Sequence, residues 1–220
     1  VLSFFIADII IDYVKLPAKN TINDFLILRP TEPITIYFKT VIYSGLVISF
    51  LPICYECIKF IAPALQKEKT ISIVKYSISA FVLFISGTVF SYFIVLPNTI
   101  KFLSNIAVHL TSSAPQFTLN SYISFVFAVL LSGGIIFEIP LICAVLTALQ
   151  IVSPKILKKF RKEVFFVLCV FAAIITPTTD VFSLTLFVLP MIVLYEIGIF
   201  VSAVIYKKIV SENPIYGDIE

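Results

Sequence analysis

Apolar residues fall in long uninterrupted stretches along this chain instead of alternating with polar ones, and the stretch lengths predict helices. Residues 35–57, 73–97, 122–149 and 184–206 each supply the roughly 20 apolar positions that a helix needs to cross about 30 Å of hydrocarbon. A fifth stretch, 164–176, is shorter: at 1.5 Å per residue it rises only about 20 Å. It runs into Pro177-Thr178-Thr179-Asp180, and another apolar helix pattern begins at Phe182. The turn is expected below the far membrane surface, where lipid tolerates no unsatisfied backbone; Asp180 is placed to cap the next helix at its N-terminus. Residues 1–14 read as the end of a helix that begins before the first residue. The expected helices lie at about 1–14, 35–62, 73–97, 121–149, 164–176 and 183–206, forming one transmembrane domain (1–206) with a polar tail (207–220). The fold class is therefore all-α: a polytopic integral membrane protein with six transmembrane helices, the fifth and sixth short, and a concave overall shape.

Composition strengthens this reading. Apolar residues make up 60% of the chain and charged residues 13%, where soluble domains average about 45–50% and 25%. The first apolar run has neither a basic leader nor a small-residue cleavage site, so no removable signal peptide is read there. Basic residues set the orientation. Lys67, Lys69, Lys75, Lys155, Lys158, Lys159, Arg161, Lys162, Lys207 and Lys208 fall on one side; Lys101 and, in the first loop, Lys15, Lys19, Arg29 and Lys39 fall on the other. Both termini are expected on the cytoplasmic or stromal side.

The polar chemistry is sparse. Cys54 and Cys57 form a C-x-x-C inside an apolar helix with no strand before it, and with Cys143 and Cys169 they read as small apolar filler. His109 is the only histidine, and no metal cluster, phosphate loop or nucleophile triad assembles. Neither a cofactor nor a metal is expected. Two carboxylates stand inside apolar helices, where an ionised side chain costs about 2.5–3.5 kcal/mol and normally faces a cavity or partner. Glu138 lies between Gly133-Gly134 and Pro140, which loosen and bend the helix into a concave polar site; Glu196 lies in the last helix. Glu68 stands among lysines after Pro63, where the residues by themselves favour a solvated loop with a weak ion pair.

Four segments in order, Phe60-Ile-Ala-Pro-Ala-Leu-Gln-Lys-Glu-Lys69, Gly134-Ile-Ile-Phe-Glu-Ile-Pro-Leu141, Thr176-Pro-Thr-Thr-Asp-Val-Phe-Ser183 and Leu189-Pro190 with Tyr195-Glu-Ile-Gly198, resemble TatC, the receptor subunit of the twin-arginine protein translocase. The resemblance implies six helices with both termini inside, and recognition of paired-arginine signal peptides on folded cargo. It also implies recruitment of TatA-type and TatB-type single-helix partners, further copies of the chain, and transport driven by the proton-motive force. It places Glu68, with Phe60 and Lys67, at the signal-binding surface, where a carboxylate accepts a bidentate guanidinium bond. Glu138, with Pro140 and Glu196, falls in the partner-binding membrane cavity, Pro17 in the first external loop and Asp180 in the fifth-to-sixth turn. The turn Pro-Thr-Thr-Asp departs from the family's Pro-Pro-Asp towards its cyanobacterial and plastid branch, and Lys69 replaces an Arg of many members. The segment carrying the family's other arginine-binding carboxylate would precede residue 1.

Abundant Phe, Ile and Lys and the absence of Trp fit an AT-rich organellar genome, which favours the plastid thylakoid over the bacterial or mitochondrial inner membrane. The alternative function is a proton-coupled secondary transporter using Glu138 and Glu196 as carriers, although no repeated halves with matching broken helices appear. A structural subunit of a respiratory or photosynthetic complex would leave Glu138 without a task. No catalysed bond change is implied, and an enzyme is not expected.

Overall fold

The computed structural model describes residues 2–19, 25–61, 70–111, 117–175 and 181–212. It is helical nearly throughout. In order come α1 (Leu2–Lys15), a 3-10 turn (Leu16–Ala18), α2 (Glu32–Ile61), α3 (Thr70–Phe90), a π-helical turn (Ser91–Val95) and α4 (Leu96–Thr111). These are followed by α5 (Leu119–Ile136), α6 (Ile139–Ala148), α7 (Pro154–Lys159), α8 (Arg161–Ile175) and α9 (Val181–Glu212). Four spans among the described residues are long and apolar enough to cross a membrane: Glu32–Phe60, Val74–His109, Leu119–Ala148 and Leu184–Ser211. Large apolar side chains such as Phe93, Phe166 and Phe200 are about 70% exposed (69%, 68% and 70%), which suits a lipid-facing surface and no aqueous one.

The chain forms two compact units. The first comprises Val1–Pro52 and Ile85–Gly134, the second Ile53–Phe84 and Ile135–Glu220. Two of their three seams fall at Pro52 inside α2 and at Gly134 near the end of α5, where the sequence itself weakens the helix; the third lies between Phe84 and Ile85 inside α3.

In the first unit, tyrosines satisfy carbonyls of α1. The hydroxyl of Tyr122 donates to Val14 O (2.8 Å) and that of Tyr92 to Tyr13 O (2.7 Å), both in the last turn, where helical carbonyls lack intrahelical partners. Tyr37 donates to Phe4 O nearer the start. Two-residue strands, β1 (Phe25–Leu26) and β2 (Phe117–Thr118), pair in parallel, and the Phe25 ring lies 4.9 Å from Tyr122. The connector after α1 is thereby tied to the start of α5, which Thr118 caps by accepting the Ser121 N–H. Buried Ile36, Leu96, Ile123 and Val126 fill the centre of this unit.

In the second unit α9 packs along α6, α7 and α8 around Cys143, Leu168, Ala172, Met191, Leu194 and Ile199. Ser153 caps α7 by accepting the Ile156 N–H, and Pro154 opens its first turn.

Several expected boundaries move. The third helix does not stop at Pro97. Leu96 N–H bonds to Ser91 O across the π turn, and the helix re-forms as α4 through Thr111 with Pro97 in its first turn, where no intrahelical N–H is required. The fourth helix is broken into α5 and α6 instead of bent. The fifth begins three residues earlier, at Arg161. The sixth is not short: α9 has 32 residues, about 48 Å of helix, and absorbs 207–212 of the expected polar tail. No Gly or Pro stands between Gly198 and Pro214 to stop it. With 15 residues, about 22 Å, α8 is short. Its following turn at 176–180 lies outside the described residues.

Candidate functional site

The break between α5 and α6 is written locally. Gly133 and Gly134 are poor helix formers, and Pro140 has no N–H and would crowd the carbonyl of Ile136, so the helix is interrupted here within the span Leu119–Ala148. Phe137-Glu138 make the turn. The Glu138 N–H bonds to Ile135 O (3.1 Å), and its carbonyl accepts from Ile142 N–H (2.9 Å), so Glu138 occupies the N-cap of α6. Its side chain does not cap. Oε1 is buried with no hydrogen-bond donor among the described residues. An unsatisfied buried acceptor costs about 1–3 kcal/mol, and more when charged.

The second unit holds this break firmly. Gly198 on α9 faces α6 so closely that a Cβ there would stand 3.2 Å from Pro140 Cα and 3.0 Å from Cys143 Sγ. One turn further along each helix, the hydroxyls of Thr147 and Ser202 meet at 2.5 Å, both buried, and Thr147 also donates to Cys143 O. The Glu138 backbone is thus anchored on both sides while its carboxylate Oε1 stays without a donor.

Glu196, two residues before Gly198, serves elsewhere. It sits at the midpoint of α9, half exposed, with Oε2 2.7 Å from the Arg161 guanidinium. Tyr195 beside it donates to Leu157 O (2.8 Å), fastening α7 to α9. Phe60 lies near the end of α2, 88% exposed, and Pro17 in the 3-10 turn. Lys67, Glu68 and Asp180 lie outside the described residues. The structure therefore sets Pro140, next to Glu138 in the break, against Gly198 of α9, and pairs Glu196 with Arg161.

One cation stands elsewhere than expected. Lys39 belongs to α2, eight residues in, and not to the first loop; its Nζ donates to Asn120 Oδ1 and Ser124 Oγ, each at 2.8 Å, across to α5. The apolar run beginning at residue 35 already contains this lysine, which is the signal that points to the helix.

Comparison with known proteins gives a consistent answer. Residues 1–190 match the family model described as TatC, Sec-independent protein translocase protein. Among its relatives, the Sec-independent protein translocase protein TatC of Aquifex aeolicus is 32% identical over 209 residues, covering 94% of this chain and 86% of that protein. TatCy of Bacillus subtilis is 33% identical, covering 93% and 80%. A tatC-like protein, ycf43, of Gracilaria tenuistipitata is 34% identical, covering 85% and 76%. A crystal structure of the twin-arginine translocase receptor TatC in DDM superimposes with a TM-score of 0.82 at 32% identity, covering 91% of this chain and 89% of that one.

Proposed function

The chain belongs to the TatC family of Sec-independent protein translocase proteins, and from that membership we propose that it is the signal receptor and core subunit of a twin-arginine translocase. It binds paired-arginine signal peptides of folded cargo and recruits TatA-type and TatB-type single-helix proteins for transport driven by the proton-motive force. The match over residues 1–190, with the structural likeness, carries this reading.

The buried, donorless Oε1 of Glu138 supports the partner step. A carboxylate fixed in an apolar helix break is stabilised when a polar group on an incoming helix donates to it, so the cost of the empty acceptor becomes affinity for the partner. Glu68, after the Phe60 motif, takes the signal's arginines. We further propose six spans, with both termini on the cytoplasmic or stromal side and the short α8 with its turn thinning the bilayer. The thylakoid is the preferred membrane on the strength of composition.

The transporter alternative loses support because Glu196 is held by Arg161 and is no free proton carrier. The test is crosslinking of a paired-arginine signal peptide to the full chain in membranes. Glu68→Gln is expected to reduce crosslinking more than tenfold, as does replacing the arginine pair by lysines. Undiminished crosslinking to Glu68→Gln would exclude the assignment.

A further inference from the structure

One corner of the second unit is strongly basic. Residues 154–162 carry Lys155, Lys158, Lys159, Arg161 and Lys162, with no acid until Glu163. They form α7 and the first turn of α8, where Ile156 and Phe160 are also exposed, so cations and apolar side chains share one surface. That is the mixture found where a helix meets the headgroup region.

Beside this corner α8 and α9 line an open groove of about 290 Å³. Phe165, Leu168 and Ile192 form its apolar body; Arg161 and Lys162, one turn before Phe165, and Glu196, one turn after Ile192, form its charged end. The Arg161–Glu196 pair neutralises itself across that end. Lys162 is exposed and has no ion-pair partner among the described residues, and Lys158 and Lys159 are exposed beside it. The groove therefore joins an apolar slot to a site of net positive charge.

We propose that this corner seats an anionic phospholipid, its phosphate on Lys162 and the α7 lysines and one acyl chain along Phe165, Leu168 and Ile192. The charge decides for an acidic lipid over a neutral one, because each basic residue near a membrane surface multiplies attraction for acidic lipid by about fivefold. The slot decides for a lipid over a soluble anion, which would leave it unfilled. The lipid would brace α8 against α9 at the level where α8 enters the membrane.

The chain has no Trp, so Phe165→Trp provides a single fluorophore inside the slot. The full chain is reconstituted in phosphatidylcholine vesicles containing equal fractions of brominated phosphatidylglycerol or brominated phosphatidylcholine. Next to the indole of Phe165→Trp the brominated phosphatidylglycerol is expected to associate about tenfold more strongly, a preference that disappears when Lys158→Gln and Lys162→Gln are added. Phe93→Trp, on the exposed surface of the first unit, is expected to be quenched equally by both lipids. Equal quenching of the slot indole, or a preference untouched by neutralising the lysines, overturns the proposal. Relief of quenching by soluble glycerol phosphate would assign a small-anion site instead. Loss of all quenching when the chain is purified with its single-helix partners would show that a protein covers the slot; both results also overturn it. Should Phe165→Trp fail to insert, native mass spectrometry of the unsubstituted chain decides: one retained phosphatidylglycerol, lost on Lys162→Gln, is expected, and no difference refutes.

Discussion

Ser91 and Gly133 pack with no room between them: a Cβ on Gly133 would overlap the Ser91 hydroxyl and stand 3.0 Å from Gly87 O. The π turn at Ser91–Val95 and the glycine of α5 are complementary parts of one contact, both buried. Gly133→Ala is therefore expected to destabilise the chain by about 1–3 kcal/mol through overpacking. Gly45→Ala, whose added Cβ would meet only Ser3 Oγ at 3.4 Å, is expected to change it little. Thermal unfolding of the purified protein in detergent compares the two; equal midpoints would refute the contact.

Gly198→Ala tests how Glu138, the carboxylate proposed to meet the partner, is held. The new methyl would press on Pro140 Cα and Cys143 Sγ, directly beyond the Glu138 break. Pro140 is backbone-anchored and cannot yield cheaply, so partner recruitment is expected to fall severalfold while signal crosslinking persists. Loss of both together, with lowered thermal stability, would mean that the whole unit had been disturbed.

Glu138→Ala is expected to preserve signal binding and to weaken copurification of single-helix partners, because it removes the carboxylate that the break offers to them. Glu138→Gln keeps hydrogen-bonding capacity and is expected to be milder. Among the described residues neither change removes a hydrogen bond of Oε1, so thermal stability of the isolated chain is expected to stay level or rise. Equal recruitment by Glu138→Ala and the unsubstituted chain would refute the role.

The Arg161–Glu196 pair is half exposed, and a double-mutant cycle with Arg161→Ala and Glu196→Gln is expected to give a coupling of about 0–1 kcal/mol. Transport by Glu196→Gln is expected to remain near normal. Its abolition, with signal binding intact, would revive a proton-carrying role for Glu196.

Lengthening α8 by four apolar residues would raise its rise from about 22 Å to about 28 Å, near the hydrocarbon thickness. If the short helix thins the bilayer, this change is expected to impair transport more than signal binding, and to reduce water access to a cysteine placed at Thr178. Unaltered transport in the lengthened variant would refute the thinning.

The membrane class, the number of long apolar spans and the family were legible in the residue order, because lipid demands runs of about 20 apolar side chains and any sequence that supplies them announces it. The weak point at Glu138 was legible as well, since Gly133, Gly134 and Pro140 act on their own backbone neighbours. What the order could not decide was everything that depends on a partner distant in sequence. Pro97 reads as a stop, yet the helix continues, because a π turn packed against Gly133 accommodates it. Lys39 lies in an apolar run that already points to a helix, but the order does not tell that Asn120 and Ser124 of α5 are its partners. Glu196 reads as a second cavity carboxylate, but Arg161, 35 positions earlier, claims it. Hydropathy measures how each residue meets lipid; only tertiary packing determines which polar atom meets which, and that pairing left Glu138 with an acceptor unfilled.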